Sequence, residues 1–259
     1  MAYTLITGAS GGIGREMARE CAAHGHDLVL VARSEGKLGE LADRLHNEHG
    51  VDARVYACDL SVSDAAIELY ERIRTDGLAV NRLVNSAGFG DQGAFLDADW
   101  SRQADMVQLN VTALMQMTYL YGLDMRDAGF GRILNLSSVA AFSAGPYMSI
   151  YYATKGFVLS FSQAVNAELS GSGVTVTALC PGPTATGFER AAQMGGSKMF
   201  TFFRPATPEQ VAAAGYKSME AGRPIAYHSA ATKVMNVGAR LLPRSVANRF
   251  AEAINGRGD

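Results

Sequence analysis

Short apolar segments alternate along the 259-residue chain with longer segments whose apolar side chains recur at helical spacing. The predicted strands are Tyr3–Thr7, Asp27–Val31, Ala53–Ala57, Arg82–Asn85, Arg132–Ser137 and Val174–Cys180. The helical patterns lie near residues 13–24, 34–49, 61–75, 99–127 and 151–170. Strand–helix alternation of this kind predicts an α/β fold, a doubly wound and mostly parallel sheet with helices on both faces.

The first predicted strand leads directly into a glycine-rich turn and then into a helix. The turn reads Gly8-Ala-Ser-Gly-Gly-Ile-Gly14, and Ile13, Met17 and Cys21 follow at helical spacing. Glycines let a backbone approach a pyrophosphate closely, and a helix N-terminus offers unpaired N–H groups and the positive end of a dipole. The segment is therefore a candidate dinucleotide-phosphate site, although glycine turns also occur in proteins without a ligand.

A tyrosine and a lysine stand four positions apart in the helical pattern after the fifth strand. Residues at this spacing lie on one helix face, so we expect the Lys155 ammonium beside the Tyr151 phenol. A neighbouring cation favours the phenolate, which predicts a pKa for Tyr151 below its ordinary value of about 10. Ser138 ends an apolar strand and can offer its hydroxyl to a substrate oxygen. The set indicates general acid–base chemistry, the alternative being a surface pair on a helix.

These motifs resemble those of the short-chain dehydrogenase/reductase family, and the resemblance covers most of the chain. Thr7-Gly8-x-x-x-Gly12-x-Gly14 resembles the cofactor-binding turn, and Asn85-Ser-Ala-Gly88 resembles the Asn-Asn-Ala-Gly segment, with Ser86 as a departure. Further matching segments are Asp59-Leu60, Asn110, the set of Ser138, Tyr151 and Lys155, and Pro181-Gly182-Pro183-Thr184-Ala-Thr186. The resemblance implies one NAD(P)-binding Rossmann domain over residues 1–259.

The resemblance also implies roles in hydride transfer between a nicotinamide and a carbonyl or alcohol carbon. The implied catalytic residues are Asn110, Ser138, Tyr151 and Lys155. The implied cofactor-binding residues are Gly8, Ser10, Gly12, Ile13, Gly14, Arg33, Ser34, Asp59, Leu60, Asn85, Ala87, Gly88, Tyr151, Lys155, Pro181, Gly182, Thr184 and Thr186. Ser138 would polarise the carbonyl and Tyr151 would donate the proton. Lys155 would lower the tyrosine pKa and bind the nicotinamide ribose, and Asn110 would hold a water that relays protons.

The end of the second strand bears on the choice between NAD(H) and NADP(H). An enzyme that selects NAD usually places a carboxylate there for the ribose 2′-hydroxyl, whereas this chain has Ala32, Arg33 and Ser34. A guanidinium can bind the 2′-phosphate of NADP, and such a charge-assisted contact contributes roughly 1.5–3 kcal/mol. We therefore predict that NADP(H) is preferred over NAD(H), the alternative being that Arg33 is a solvated loop residue.

An aromatic segment follows the last motif, and the resemblance implies that residues of about 187–222 close over the substrate. Its apolar members are Phe188, Met194, Met199, Phe200, Phe202 and Phe203, while Phe89, Phe142 and Tyr147 lie in other loops at the same end of the sheet. This composition favours an apolar ketone, aldehyde or alcohol. Arg190, Lys198 and Arg204 leave a carboxylate or phosphate open, and a core or interface role for Phe200 to Phe203 is a further interpretation.

A helical tail over about residues 229–255 carries an apolar stripe, and we expect it to pack on its own domain or on a partner subunit. The stripe consists of Ala230, Val234, Val237 and Leu241. The predicted helix 99–127, with Met106, Leu109, Ala113 and Met117, suits the helix-to-helix interface through which the resembled family oligomerises. We expect a homodimer or a homotetramer.

Composition narrows the range of partners and compartments. A net charge of −2 gives no electrostatic case for nucleic acid or for an anionic membrane surface. Cys21, Cys58 and Cys180 are widely spaced in apolar stretches, which indicates free thiols in a reducing compartment. The first strand begins near residue 2 and no apolar run has transmembrane length, so we expect no signal peptide, no integral membrane segment and a cytoplasmic location.

Two other classes of function stay open. A non-catalytic NADP(H)-binding redox sensor would keep the fold without turnover, but such relatives typically lose one of the catalytic residues that are all present here. A nucleotide-sugar epimerase or dehydratase would need a larger substrate domain than the 77 residues that follow Gly182. The five histidines have no matching cysteines or carboxylates, so no metal site is expected.

Overall fold

A seven-stranded sheet forms the centre of the computed structural model, which describes residues 2–188, 192, 205–230, 232–234, 236 and 244–256. The strands are β1 Tyr3–Thr7, β2 Leu28–Ala32, β3 Ala53–Ala57, β4 Val80–Asn85, β5 Gly131–Leu136, β6 Val174–Leu179 and β7 Ile225–Ala226. The helices are α1 Gly12–Ala23, α2 Glu35–His49, α3 Ala65–Thr75, α4 Trp100–Val107, α5 Leu114–Asp127, α6 Ser149–Glu168, α7 Pro208–Glu220 and α8 Arg244–Asn255. Single-turn helices lie at Phe95–Asp97, Gln108–Ala113 and Val139–Phe142.

The strand order is β3-β2-β1-β4-β5-β6-β7, and every neighbouring pair is parallel. The order reverses at β1, where Leu5 lies opposite Val29 of β2 on one side and Leu83 of β4 on the other. In open α/β sheets a crevice forms at such a reversal, beyond the carboxyl ends of the strands, and ligands bind there. The predicted doubly wound α/β fold is confirmed.

The strands are apolar at nearly every position because both faces of the sheet are covered. Ile6 and Leu30 belong to the core cluster on one face, together with side chains of α1, α2 and α7. Leu5, Val29 and Leu83 belong to the cluster on the other face, with side chains of α3 and α5. Two cores therefore fix β1, β2 and β4, whose ends form the crevice.

The helix predicted over 99–127 is interrupted. Helix α4 ends at Val107, a π-helical turn occupies Gln108–Ala113, and α5 begins at Leu114. A π turn changes the hydrogen-bond spacing over one turn, and such turns are frequent at functional sites. This turn carries Asn110, one of the residues implied to be catalytic.

The stripe expected at an oligomer interface is largely part of the core of the chain itself. Met106, Ala113 and Met117 are buried, because this side of the two helices packs on the sheet and on its neighbours. The more exposed apolar side chains of α4 and α5 include Met115 and Tyr119, the latter 65% exposed.

Helix α7 forms the later part of the segment expected to cover the substrate, and it packs on the sheet layer. Val211, Tyr216 and Met219 lie in the same core cluster as Met17 of α1. Capping also defines the start of this helix, since the Thr207 hydroxyl accepts a hydrogen bond from the backbone N–H of Gln210. One face of α7 therefore belongs to the core of the sheet layer.

Two of the four residues of the predicted tail stripe do not pack on the domain. Ala230 and Val234 are exposed, and Val237 and Leu241 lie outside the described residues. Helix α8 buries Ala251 and Ile254 instead. None of the helices in the described ranges has the length and apolar content that crossing a bilayer needs.

Candidate active site

The glycine turn between β1 and α1 packs too tightly for side chains at two of its positions. Gly8 has a φ of +71°, and a Cβ there would lie 2.9 Å from the Ala87 backbone. A Cβ on Gly14 would lie 2.4 Å from the Gly8 carbonyl oxygen. Both contacts are well inside van der Waals range, so the turn, the end of β4 and the first turn of α1 need glycine to come together.

The first turn of α1 presents unpaired donors to the crevice edge. The helix begins at Gly12, and its first backbone bond runs from the Arg15 N–H to the Gly11 carbonyl. The N–H groups of Gly12, Ile13 and Gly14 consequently have no partner inside the helix. Together with the helix dipole they suit a phosphate group. The Ile13 side chain packs against the core, so any ligand contact it makes is through its backbone.

Thr7 joins the two strands on either side of the crevice. Its Oγ1 accepts hydrogen bonds from the backbone N–H groups of Ser86 and Ala87, both at 3.0 Å. Asn85, placed among the cofactor-binding residues, uses its side chain differently: Nδ2 donates to Thr118 Oγ1 at 3.1 Å and to Asn135 Oδ1 at 2.9 Å. The Asn85 side chain is therefore a buried tie between β4 and β5 and is not free to hold a cofactor.

Arg33 and Asp59 face each other across the ends of β2 and β3. The guanidinium is 79% exposed and lies 3.8 Å from the Asp59 carboxylate. Partial burial would raise the pKa of Asp59, but hydrogen bonds from Ser61 and the charge of Arg33 hold that pKa below its usual range. Leu60, one of the implied cofactor-binding residues, has its side chain in the core, so its backbone is the part available for a cofactor contact.

The Pro-Gly segment after β6 reaches back towards the glycine turn. A Cβ on Gly12 would lie 3.4 Å from the Thr186 side chain, which places the two segments side by side. The Thr184 hydroxyl donates to the Gly182 carbonyl at 2.9 Å, and the Gly182 N–H donates to His228 Nδ1 at 3.4 Å. The Pro181 carbonyl accepts from the Val139 N–H at 3.0 Å, which joins the segment to the residue after Ser138.

Ser138 caps a short helical turn at the end of β5. Its Oγ accepts a hydrogen bond from the Ala140 N–H at 3.1 Å, and only 9% of the residue is exposed. Since a hydroxyl is both donor and acceptor, this bond leaves the Ser138 proton to donate elsewhere. The Ser138 hydroxyl also interacts with Tyr151 and lowers the pKa of that phenol. The two predicted partners are thus brought together.

The pKa of Tyr151 does not follow the prediction made from its spacing to Lys155. Burial raises the pKa of Tyr151 to about 12, outweighing the interaction with Ser138. The Lys155 Nζ lies 5.8 Å from the centre of the Tyr151 ring. The predicted lowering of the Tyr151 pKa is therefore wrong for the chain without a cofactor. Burial destabilises the phenolate by more than its polar neighbours stabilise it.

Lys155 is buried and its ammonium has a protein partner. Nζ donates to the Leu136 carbonyl at 2.8 Å, and the residue is 5% exposed. Burial lowers the pKa of Lys155 to about 8, with Cys180 opposing the shift. At physiological pH the lysine therefore stays mostly protonated, although it loses its proton more readily than an exposed lysine does. Hydroxyl partners at this position would favour the charged form further.

Asn110 uses its whole side-chain amide to hold neighbouring segments. Nδ2 donates to the Phe89 carbonyl at 2.9 Å and to Thr154 Oγ1 at 3.2 Å, and Oδ1 accepts from the Phe89 N–H at 3.1 Å. The amide thus joins the loop after β4 to α6. A water bound by Asn110 would use its backbone carbonyl, and the proton relay stays a prediction.

A small apolar enclosure borders Tyr151. Its ring lies 5.2 Å from the Phe188 ring, centre to centre. A Cβ on Gly90 would lie 2.7 Å from Phe188, 3.3 Å from Met148 and 3.3 Å from Tyr151, so these four residues meet. Phe188 thus brings one aromatic residue of the segment expected to close over the substrate against Tyr151. The other predicted members of that segment, Arg190, Met194, Lys198, Met199, Phe200, Phe202, Phe203 and Arg204, lie outside the described residues.

Other loop aromatics take different positions. Phe142 packs with the cluster of Leu159 and Cys180, Phe89 lies under the Arg102 guanidinium at 5.0 Å, and Tyr147 is 41% exposed. Sequence patterns did not single out Gly90 or Met148. No motif or periodicity marks these two residues, since each is a single residue in a loop and only the folded chain places it against Tyr151.

Residues 2–195 match the sequence model of the family described as short chain dehydrogenase. The match includes the glycine turn and all four residues implied to be catalytic. The chain belongs to the short-chain dehydrogenase family. It belongs to a family of oxidoreductases that interconvert carbonyl and alcohol groups with a nicotinamide cofactor.

Named relatives of this short-chain dehydrogenase act on several substrates. Very-long-chain 3-oxoacyl-CoA reductase of Anas platyrhynchos is 33% identical over 191 residues, which are 71% of this chain and 60% of the relative. A short-chain dehydrogenase from Sphingobium yanoikuyae in complex with NADPH is 34% identical with a TM-score of 0.82, over 93% of this chain and 94% of the other. The bulky-bulky ketone specific alcohol dehydrogenase from Comamonas testosteroni is 31% identical with a TM-score of 0.78, over 93% and 92%.

The crevice of this short-chain dehydrogenase fits a nicotinamide dinucleotide. Gly8 and Gly14 admit a close backbone approach, and a Cβ on Gly88 would lie 2.8 Å from Asn110 Oδ1 and 3.6 Å from Lys155 Nζ. The unpaired N–H groups at the start of α1 suit the pyrophosphate. The close packing of Gly88 on Asn110 and Lys155 joins the loop after β4 to residues that the sequence implied to be catalytic.

Proposed function

We propose that this short-chain dehydrogenase uses NADP(H) to interconvert a carbonyl with a secondary or primary alcohol on a bulky, apolar substrate. The observation that carries the proposal is the position of Tyr151, which has Ser138 on one side and the Phe188 ring 5.2 Å away on the other. A proton donor thus faces an apolar enclosure beside a groove that fits a dinucleotide.

The preference for NADP(H) rests on the end of β2. Arg33 is 79% exposed and Ser34 makes no side-chain capping bond to α2, so both can turn to a 2′-phosphate. Asp59 lies 3.8 Å from Arg33 and would hold the guanidinium near the adenosine ribose. The related enzyme from Sphingobium yanoikuyae was solved with NADPH, which supports the same choice.

The preference for an apolar substrate rests on the residues that meet at Tyr151. Gly90, Met148 and Phe188 offer carbon atoms and no charge. Burying apolar substrate surface against them is favourable by about 25 cal/mol for each Å². The related ketone-specific enzyme is described as accepting ketones that are bulky on both sides, which agrees with an enclosure of this kind.

In the direction of reduction, Ser138 and Tyr151 act on the carbonyl oxygen. The Ser138 hydroxyl, held by the Ala140 N–H, donates a hydrogen bond that polarises the carbonyl. Tyr151 donates its proton to the same oxygen as negative charge develops there. With a pKa of about 12 in the free chain, the phenol carries its proton at neutral pH. When bound, the nicotinamide supplies the hydride for the carbonyl carbon.

Lys155 and Asn110 support the proton transfer. Lys155 binds the nicotinamide ribose hydroxyls, and these polar partners replace part of the hydration that its ammonium lacks in the free chain. The charged lysine then favours the tyrosinate that remains after proton transfer. Asn110 fixes α6 through Thr154, and its backbone carbonyl in the π turn binds the water that returns a proton to Tyr151.

We further propose a cytoplasmic homodimer or homotetramer. The support for oligomerisation is the apolar surface on α4 and α5, where Val107, Met115 and Tyr119 are 40%, 38% and 65% exposed. Sedimentation of the purified protein would give the number of subunits, and a monomer at micromolar concentration would contradict the proposal.

The test of function is to follow NADPH absorbance with ketones and aldehydes graded by size and polarity. We expect the fastest consumption with bulky apolar carbonyls, slower consumption with small ones and none with nucleotide sugars. Titration of NADPH and NADH fluorescence should give at least tenfold tighter binding of NADPH, in keeping with one charge-assisted contact.

The outcomes separate the alternatives. Tight NADPH binding without turnover on any carbonyl or alcohol would favour the non-catalytic sensor. Turnover of a nucleotide sugar would favour the epimerase or dehydratase class. Equal affinity for the two cofactors would remove the NADP(H) preference and leave the oxidoreductase assignment in place.

A further inference from the structure

Asn255, the last residue of α8, makes hydrogen bonds that tie the C-terminal helix to three other segments. It is 0% exposed. Its Nδ2 donates to the Pro146 carbonyl at 3.1 Å, and its Oδ1 accepts from the Tyr152 hydroxyl at 3.3 Å. Its backbone carbonyl accepts from the Gln92 side chain. We call these contacts the Asn255 clasp.

Each segment held by the clasp also borders the apolar enclosure at Tyr151. Tyr152 directly follows Tyr151 in α6, and the two rings pack edge to face with centres 6.2 Å apart. Pro146 lies two residues before Met148, and Gln92 lies two residues after Gly90. The residues that surround the substrate carbonyl are thus one or two positions away from the residues that Asn255 holds.

The loop before α6 needs this support. Tyr147 has a φ of +63°, a conformation that is strained for an aromatic residue and persists only where the surroundings enforce it. Its carbonyl accepts from the Gly93 N–H at 2.8 Å, and the adjacent Pro146 carbonyl is held by Asn255. The clasp therefore fixes the loop that carries Met148.

The buried amide of Asn255 fixes the position of α8. An amide buried without partners is costly, so α8 can dock only where both ends of the Asn255 side chain are satisfied. Ala251 and Ile254 are also buried in this helix, while Asn248, Arg249 and Glu252 are exposed. Displacing α8 would break all three clasp contacts at once.

We propose that Asn255 is a positioning residue through which α8 holds the substrate side of the site, and that it thereby sets the size of carbonyl substrate accepted. The proposal rests on the carbonyl-reductase function proposed above. Asn255 has no direct contact with Tyr151, and it acts through Tyr152, the loop with Met148 and the loop with Gly90.

The test compares Asn255→Ala with Asn248→Ala, the same substitution at an exposed position of the same helix. For Asn255→Ala we expect KM for a bulky apolar ketone to rise about tenfold while kcat falls less, since misplacement of a wall weakens positioning. The preference for bulky over small ketones should fall by a similar factor. NADPH affinity should stay within twofold of wild type, and Asn248→Ala should match wild type throughout.

A second variant tests whether the coupling runs through the clasp. Tyr152→Phe removes the hydroxyl that donates to Asn255 and keeps the ring. If the two residues act together, the double variant should be no worse than the worse single variant, whereas independent effects would multiply. Should Asn255→Ala fail to fold, Tyr152→Phe alone carries the test through the same change in substrate preference.

Hydrogen exchange separates this proposal from the proposed function. Faster exchange of residues 145–148 and 244–256 in Asn255→Ala, with changed substrate preference, supports the positioning role. Faster exchange with unchanged kinetics overturns it and leaves Asn255 a purely structural residue, as does unchanged exchange. A wild-type protein inactive on every carbonyl would refute the proposed function and, with it, the claim about substrate size, whatever exchange shows.

Discussion

The two sides of the crevice are built in different ways. On the cofactor side, Gly8, Gly14 and the start of α1 come from one run of seven residues, and the contacts are made by backbone atoms. On the substrate side, Gly90, Met148, Tyr151 and Phe188 come from three separate stretches of the chain and meet through side chains.

This difference explains why the cofactor side can be recognised as a sequence motif and the substrate side cannot. A cofactor of fixed shape demands a fixed backbone path, which only a particular order of glycines allows. A substrate enclosure can be lined by any apolar side chain that reaches it, so its residues carry no spacing rule. We expect substitutions on the two sides to separate cofactor affinity from substrate preference.

Loss of the Tyr151 hydroxyl should have the largest effect, because Tyr151 lies where the two sides meet. We expect Tyr151→Phe to lower kcat by roughly 100- to 10,000-fold, the usual range for a general acid. NADPH affinity should change little. Stopped-flow turnover and a fluorescence titration measure the two quantities, and Tyr119→Phe, at a position 65% exposed on α5, is the control. Retention of most turnover would disprove the general-acid role.

The buried Lys155 should leave a signature in the pH dependence of stability. Its folded pKa is about 8 against an ordinary value of 10.5. Between these pH values the unfolded chain binds more protons, so this group makes the free energy of unfolding rise with pH, by at most about 3 kcal/mol. The comparison is urea denaturation of the cofactor-free protein and Lys155→Met from pH 8 to pH 10.

The free energy of unfolding of Lys155→Met should lack this rise with pH, whereas that of Lys37→Met, at an exposed position in α2, should keep it. Other titrating groups contribute to all three proteins alike and cancel in the difference. Parallel curves for wild type and Lys155→Met would mean that the lysine is not desolvated in the free chain. Bound NADPH should shrink the difference by giving the ammonium polar partners.

Reversal of charge at Arg33 should affect the cofactor side alone. We expect Arg33→Glu to weaken NADPH binding by roughly tenfold or more at low ionic strength, with less effect on NADH. The side chain is exposed, so added salt should reduce the difference. Fluorescence titrations with both cofactors give the values. Arg126→Glu, remote at the end of α5, should bind both as wild type does, and an unchanged cofactor ratio in Arg33→Glu would contradict the role.

Truncation of Phe188 should give the smallest effect. In contrast to Arg33→Glu, it should change the KM of the substrate and leave cofactor affinity unchanged. Phe188→Ala removes a ring beside Tyr151, so KM for a bulky apolar ketone should rise roughly fivefold. NADPH affinity should not change. Phe95→Ala, at a position 49% exposed, is the control. Steady-state kinetics over the ketone panel would show it, and weaker NADPH binding in Phe188→Ala would mean that the two sides are not separable.

Much of the fold could be predicted from the sequence, and so could a set of candidate site residues. The order of strands and helices could be predicted because the strands of a sheet covered on both faces are nearly continuous apolar segments of the sequence. Tyr151, Lys155 and Ser138 could be identified because family resemblance and helical spacing agree. Asn85 and Leu60 were less well predicted, since a motif shows that a residue is present and not whether its side chain turns to the ligand or to the core.

Properties that depend on burial could not be predicted. Spacing alone indicated a lowered pKa for Tyr151, but burial raises it, and burial is the sum of contacts from distant segments. The helix predicted over 99–127 contains a π turn, within which Asn110 bonds to both Phe89 and Thr154. The stripe of Met106 and Met117 indicated an apolar face without indicating which neighbour covers it.

The sequence by itself determined the α/β layering, the glycine turn and the candidates for catalytic side chains. These follow from local rules: backbone sterics, strand and helix periodicity and the fixed spacing of a motif. Only the tertiary structure decided the substrate side, the protonation of Tyr151 and Lys155 and the place of α8 at Asn255. Those depend on which distant residues meet, since desolvation and side-chain packing exist only once the chain has folded.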